Sequence, residues 1–486
     1  MRRAPGPAYG LALLLLLLGA ARAALAQATY VDEKYGYTIR TVPKWEGVPV
    51  QPTEPHTVAK WAAPRDERGL PGRMFVHLFE VRTDDADPAT ADLQRLLFPR
   101  ARSFQEWAER HRSGLKLEAP GTVDVKMPGG GVVKASLYEL TYAPERDPRF
   151  GPPPAYFTVI ALIALPERQY AVELLCAEAV RRKYRNTFLQ VVQSFTLLGS
   201  EPKDNKEEPA PRPNSAREAA REEARRRAST DAERVAGWWY VESENYFIVT
   251  NTPVKKKARI TELHAQLEAI RALYQRDFPP PKPIDAVSIV RVCKDHESYR
   301  QYGGPAGSGG YWNAGAKELV LFHRGEKAFA RGVLFHEAFH QYIYYACGEI
   351  NPHIWYNEGH ADYYGGAEVI GSRALIRPNR ARVDTIRGAL RAGTYVPLPE
   401  FLRYSQRQYY ANAGLCYAQG WSLAYFLNQG IEAGHPWSRI VPTYYKTLVE
   451  TGDGEKALQA AFQQVDLGAL DAAWKEFIID KRMVRA

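Results

Sequence analysis

The segment Val333-Leu334-Phe335-His336-Glu337-Ala338-Phe339-His340-Gln341-Tyr342-Ile343-Tyr344-Tyr345-Ala346-Cys347 carries two histidines four residues apart and contains neither glycine nor proline. Such a run is expected to be helical. Residues four apart share a helix face, so the imidazoles of His336 and His340 can converge on one ion at about 2.0 Å, with Glu337 beside its open position. Where the third ligand falls decides the class. In the pattern H-E-x-x-H-x-x-G-x-x-H, the glycine and the third histidine would stand at Ile343 and Ala346, which excludes that arrangement.

Downstream, Ile354-Trp355-Tyr356-Asn357-Glu358-Gly359-His360-Ala361-Asp362-Tyr363 follows Pro352 and reads as a second helix. Glu358 is the natural third ligand. Asp362, one turn further on the same face, is placed to accept the second ring proton of a metal-bound histidine and so fix its tautomer. His360, two positions from Glu358, turns to nearly the opposite side and is not expected to ligate. His323 and His353 read as ordinary surface or core histidines. Two imidazoles, one carboxylate and an open position suit a single Zn2+ ion.

The pairing of H-E-A-F-H at 336–340 with W-Y-N-E-G-H-A-D-Y at 355–363 resembles the gluzincins, the peptidase MA-like zinc metallopeptidases that include thermolysin and the aminopeptidase-N family. The Asn-Glu-Gly core is similar to the aminopeptidase-N motif, and the acid four places after the ligand, Asp362, is the thermolysin-like feature. Tyr417-Ala418-Gln419-Gly420-Trp421 resembles the Y-x-x-G helix of aminopeptidase-N relatives, where the tyrosine hydroxyl stabilises the oxyanion. The resemblance implies that role for Tyr417. The same tyrosine also starts a helical row with Trp421, Ala424 and Tyr425, which a plain core aromatic would do equally well. The likeness runs from about Trp238 to the C-terminus. It implies hydrolysis of a peptide bond by metal-activated water, with Glu337 as the base that later returns the proton to the leaving amine, and with zinc and Tyr417 sharing the oxyanion charge.

One departure bears on the substrate. The Gly-x-Met-Glu-Asn segment with which those aminopeptidases grip a free amino terminus is missing, and Gly309-Gly310-Tyr311-Trp312-Asn313 stands in the comparable place. Glu318 to Phe322 alternates like a strand and is expected to accept an extended peptide at a sheet edge, which favours endopeptidase action on a peptide or protein. Two rivals share the motif: a non-catalytic zinc-containing protein that binds peptides or a surface partner, and a metal hydrolase of a non-peptide bond.

Outward from these motifs, 486 residues with 45% hydrophobic content exceed one ordinary core, and two domains are expected. Residues 1–26 read as an export signal: Arg2 and Arg3, then Leu11 to Leu18, then the small-residue site Ala24-Leu25-Ala26. The expected destination is outside the cytoplasm, secreted or periplasmic. No stretch approaches the roughly 20 apolar residues of a membrane span. Removing Arg2, Arg3 and Arg22 takes the formal charge from +9 to +6, and no basic run interleaved with aromatics suggests nucleic acid. Four cysteines allow disulfides. A Cys347–Cys416 bridge and four buried thiols are the alternatives, with Cys176 and Cys293 among the four.

An α+β architecture is expected. Residues 27–199 read as a domain with strands at Tyr37–Val42, Met74–Val81, Val132–Tyr142, Tyr156–Leu165 and Tyr170–Cys176, and helices at Ser103–Leu115 and Val180–Phe195. The opening Tyr35-Gly36-Tyr37-Thr38-Ile39 strand, the Pro43 and Trp45 turn and the closing helix ending in Gln193-Ser194-Phe195 resemble the PsbP/Mog1-type α/β sandwich. No titratable cluster stands out there, which leaves it a binding or spacer role. Residues 200–235, first proline-rich and then rich in Ala, Arg and Glu, read as a linker ending in a solvated helix with little to bury. Residues 236–486 form the zincin-like domain, with a mixed sheet and a mostly helical second half. Its expected elements are a strand at Tyr246–Thr250, a helix at Val254–Tyr274 and a strand at Ala286–Val292.

Overall fold

The computed structural model describes residues 28–66, 70–80, 101–144, 154–199, 215–323 and 331–480. The export signal expected over 1–26 and the proline-rich start of the linker lie outside the described residues. The chain divides into two units, Met1–Pro211 and Arg212–Ala486, a division that falls inside the expected linker.

In the first unit the strands are β1 (Thr29–Asp32), β2 (Tyr37–Arg40), β3 (Glu46–Gly47), β4 (Thr57–Ala62), β5 (Arg73–Glu80), β6 (Gly121–Lys126), β7 (Val132–Tyr142), β8 (Tyr156–Ala164), β9 (Arg168–Ala177) and β10 (Thr196–Leu197). They form one sheet in the order β1-β2-β10-β6-β7-β8-β9-β5-β4-β3, antiparallel except where β10 meets β6. Both faces are covered, which is why β9 reads as a continuous apolar run and not as an alternation. Val172, Leu174 and Cys176 face the helix Arg181–Gln193 through Phe188, Val191 and Val192. Ala171 faces Phe104 and Trp107 of the helix Phe104–His111. On that second face the fold gathers a charged group that sequence spacing concealed. Glu173, fully buried, accepts from Arg112 at 2.8 and 2.9 Å and bonds His77 at 3.2 Å.

The second unit holds β11 (Trp239–Glu242), β12 (Tyr246–Thr250), β13 (Ser288–Cys293), β14 (Gly310–Asn313) and β15 (Glu318–Phe322) in the order β11-β12-β13-β15-β14. β12, β13 and β15 are mutually parallel, and the outer strands run antiparallel to them. One face packs on the helices Lys257–Asp277 and Arg331–Ala346, with Ile248, Val290, Val292, Leu319 and Leu321 meeting Leu263, Leu267, Ile270, Leu334 and Phe339. A hairpin, β16 (Ala367–Ile370) with β17 (Arg373–Ile376), interrupts a helical part built around the fully buried Trp355, Trp421 and Trp474. The architecture is therefore mixed, with a sheet-dominated N-terminal region and a mostly helical C-terminal half.

Two expectations are corrected here. Glu318–Phe322 is no sheet edge: β15 lies between β13 and β14 with both sides paired, and β14 is the edge strand on that side. The linker helix, Ala216–Arg234, is no solvated rod either. It lacks an apolar stripe, but Ala224 and Ala228 are buried, and small side chains let its backbone come close to the sheet. Arg217 donates to the carbonyls of Ile284 and Glu244. Arg227 donates to Glu318 at 2.6 Å, and Asp231 accepts from Arg291 at 2.8 Å. Arg291 and Glu318 are themselves fully buried strand residues that pair at 3.0 Å, with the guanidinium lying over the Tyr302 and Trp238 rings. Burial alone would raise the Glu318 carboxyl; Arg291 and Arg227 outweigh it and hold the group below its ordinary value.

Removing one partner from a buried ion network leaves an uncompensated charge. Glu318→Gln is expected to lower the unfolding free energy by about 3–5 kcal/mol in urea denaturation of the full chain. A loss under about 1 kcal/mol would mean that the network is solvated and the linker helix dispensable.

Candidate metal centre

His336 and His340 lie on the helix Arg331–Ala346, and Glu358 on the helix Ile354–Gly365. The two helices bring three donor atoms together. His336 Nε2 and His340 Nε2 are 3.1 Å apart, and Glu358 Oε2 lies 3.3 and 3.4 Å from them. Among the described residues these three form the one group of His, Cys, Asp and Glu side chains arranged to hold a metal ion.

Whether the group fits zinc can be tested on these distances. Four ligands at about 2.0–2.1 Å in a tetrahedron stand about 3.3 Å from one another. All three observed edges lie close to that value. Glu358 Oε2 is buried and has no hydrogen-bond partner, as a ligand atom awaiting a cation would be. The opposite side of each imidazole is spoken for: His336 Nδ1 bonds Asp362 Oδ1 at 2.9 Å, and His340 Nδ1 bonds Asn357 Oδ1 at 2.8 Å. Both partners are acceptors, so each Nδ1 carries the proton and each Nε2 presents a lone pair. The donor set fits zinc.

The electrostatics agree. Burial pushes the His336 imidazole down, but the Asp362 and Glu358 carboxylates beside it outweigh this and raise it well above the ordinary histidine value. Burial opposes ionisation of Glu358 as well, yet His340 and His336 hold its carboxyl well below the usual range. The pocket stabilises positive charge at its centre. Asp362 is itself held by Arg382 at 2.8 Å.

Around the triad lies a cavity of about 570 Å³, lined among others by Glu337, Tyr311, Trp312, Tyr410 and Tyr417. Glu337 Oε2 accepts from the backbone N–H of Trp312 at 2.9 Å, so edge strand β14 fixes the carboxylate that stands beside the triad. Tyr417 is half-buried on the helix Ala413–Tyr425, its ring centroid 6.1 Å from that of His336. Burial first, and then the Glu358 carboxylate, push its hydroxyl upward, so it is a protonated donor at neutral pH. Its row-mates Trp421 and Ala424 are core residues; Tyr417 is where that row emerges into the cavity.

Other histidines lie elsewhere. His360 is fully buried, bonded to the Tyr356 carbonyl at 2.8 Å and to Asn428 at 3.3 Å, and burial pushes it down to about 4. Burial likewise brings His323 to about 4. His353 is half-buried at the start of the Glu358 helix and lines the cavity. Cys176, Cys293, Cys347 and Cys416 are all free and buried, so the Cys347–Cys416 bridge does not form.

Three contributors carry no sequence signal of the role they play. Asn357 was visible only as a motif letter. Tyr410, on the short helix Gln406–Ala411, donates to Glu358 Oε1 at 2.6 Å and leaves Oε2 for the triad. Arg382 anchors Asp362 and lies over the Tyr417 ring at 5.1 Å. Neither has a fixed spacing from the motifs they serve.

No protein-family model matches this sequence, and no curated protein does either. Solved structures similar to its N-terminal part include PsbP from Synechocystis sp. PCC 6803, at 17% identity over 36% of this chain and 93% of that one, TM-score 0.24. They also include the Ran-binding protein Mog1p of Saccharomyces cerevisiae, at 12% identity over 36% of this chain and 97% of that one, TM-score 0.20. A protein from Bacteroides thetaiotaomicron VPI-5482 matches at 8% identity over 62% of this chain and 88% of its own, TM-score 0.20. None of these comparisons bears on the gluzincin-like reading of the second unit.

Groups that orient metal-bound histidines typically contribute 10–100-fold to affinity. Asp362→Ala and Asn357→Ala are each expected to weaken zinc binding by about that factor, read by competition with a chromophoric chelator. Unchanged affinity in both would remove the metal assignment.

Proposed function

We propose that this chain is an exported zinc metallopeptidase of the gluzincin type that hydrolyses internal peptide bonds. The observation that carries the reading is the convergence of His336 Nε2, His340 Nε2 and Glu358 Oε2 at tetrahedral spacing beside the free side of Glu337. When bound by these three residues, zinc supplies a Lewis acid that polarises a carbonyl and brings the pKa of a water toward about 7.

The chain's own residues supply the rest. Glu337, oriented by the Trp312 N–H, takes the proton from the attacking water and hands it to the departing amine. The Tyr417 hydroxyl donates to the substrate oxygen that gains charge, a contribution favoured by its partial burial and protonated state. Edge strand β14 borders the cavity through Tyr311 and Trp312 and offers an extended substrate backbone a place to lie. The sheet edge open to an internal stretch of substrate is thus β14, not β15.

The test uses purified full-length protein, a peptide library with both termini blocked, and a small ester. Wild type is expected to cleave blocked peptides and to lose cleavage on chelation. Glu337→Gln is expected to retain zinc while losing turnover by about 10²–10⁴-fold. Bound zinc with no cleavage of either substrate class would instead make the chain a binding protein. Ester cleavage alone would make it a hydrolase of another bond.

A further inference from the structure

The cavity at the metal centre is lined by three carboxylates, Glu337, Glu358 and Glu455, and by no lysine or arginine among the described residues. Glu358 and Glu337 have their tasks in the reading above. Glu455 has none: its exposed carboxylate makes no hydrogen bond or ion pair with any described residue. The ordinary use for an acid in this place, at the second position of the helix Gly454–Phe462, is to satisfy the first N–H groups. That use is already taken. Asp453 caps the helix, its Oδ1 accepting from the backbone N–H of both Glu455 and Lys456, and the Lys456 side chain pairs with Asp453 at 3.6 Å.

The position of Glu455 relative to the triad follows from helix packing. A Cβ built on Gly454 would lie 3.8 Å from the backbone nitrogen of His353, so the Glu455 helix begins against the start of the Glu358 helix. His353 precedes Glu358 by five residues, about 7.5 Å along a helix axis. That is the span of about two residues of an extended chain. His353 also lines the cavity; burial lowers its imidazole, and the charge that opposes this is the Glu455 carboxylate, which places the two side chains near each other. Glu455 further marks where the cavity meets a second groove of about 800 Å³, floored by Leu402, Leu458, Phe462 and Leu467. A bound chain passing Glu455 has room on either side.

We propose that Glu455 forms a subsite for a positively charged nitrogen of a bound peptide, either a Lys or Arg side chain or an amino terminus, so that the cleft selects basic over acidic peptides. This rests on the reading of the cleft as a peptide site. A divalent ion among three carboxylates leaves one negative charge in excess, and no lysine or arginine among the described residues lines the cavity to receive an acidic substrate. Tyr404 is also in the lining.

The test measures binding apart from turnover. Zinc-loaded Glu337→Gln protein is titrated with alanine-based peptides carrying one Lys at successive positions, with the norleucine and glutamate counterparts, and with free or acetylated amino termini. One Lys position is expected to bind about fivefold tighter than norleucine, with Glu weaker than both. Tighter binding of free than of acetylated amino termini, whatever the side chains, assigns the subsite to the amino terminus; a Lys preference that survives acetylation assigns it to the side chain. Glu455→Gln should abolish the discrimination, and Glu455→Lys should reverse it toward the glutamate peptide, with zinc content checking that each variant is folded. Absent discrimination in the Glu455-intact protein, a preference that persists in Glu455→Lys, or no peptide binding at all would overturn the proposal. Selective binding by a protein whose Glu337 form cleaves nothing would sink the peptidase reading and leave this one standing. Cleavage without charge preference would do the opposite.

Discussion

Two imidazole lone pairs and a carboxylate oxygen held within 3.4 Å of one another, in a site closed to most solvent, repel unless a positive charge sits between them. Much of the second unit can be understood as the structure that resists this repulsion. Each ring is pinned from behind, His336 by Asp362 and His340 by Asn357, so neither can rotate its Nε2 away. Glu358 is pinned through its other oxygen by Tyr410. Asp362 would be one buried acid too many without Arg382, which lies outside the donor set and neutralises it. The arrangement is a cation cage whose walls are themselves hydrogen-bonded.

Such a cage needs its helices at fixed spacing, and glycine sets it. The helix of Glu358 crosses the helix of Tyr417 where Gly359 meets Gly420. A Cβ on Gly359 would stand 2.7 Å from the Gly420 carbonyl oxygen, and one on Gly420 would stand 2.7 Å from the Tyr409 hydroxyl. Neither backbone can yield without moving a functional side chain, because Glu358 adjoins Gly359 in sequence and Tyr417 lies three residues from Gly420. The glycines of Asn-Glu-Gly and Tyr-x-x-Gly are therefore one feature seen twice. They let two backbones touch so that a ligand and a phenol can share a cavity.

This explains what was legible in the sequence. His336, Glu337, His340, Glu358 and Asp362 belong to two uninterrupted helices, where spacing in sequence converts directly into direction in space. The bounds of strands β12 and β15 are legible for a similar reason, since their apolar runs are short and flanked by turn residues. What could not be read were relations between elements. Whether Glu318–Phe322 is an edge depends on where Gly310–Asn313 pairs, which no local pattern states. Tyr410 reaches Glu358 across 52 positions of sequence, and Arg382 reaches Asp362 after a hairpin has turned the chain. In the first unit, Glu173 reads as a lone acid in an apolar strand until β5 and the residue after a short helix bring His77 and Arg112 to it.

The linker helix shows the same limit most plainly, and it connects to the site. Judged by its own pattern it has nothing to bury, because the quantity it buries is charge, and the complementary charges sit on strands far along the chain. Arg227 and Asp231 complete a network with Arg291 of β13 and Glu318 of β15. β15 in turn carries β14, whose Trp312 N–H holds Glu337. Steps of backbone pairing thus run from a charged helix outside the sheet to the carboxylate beside the triad. A segment whose composition suggests a spacer is, by its contacts, the outer wall of the sheet that aims Glu337.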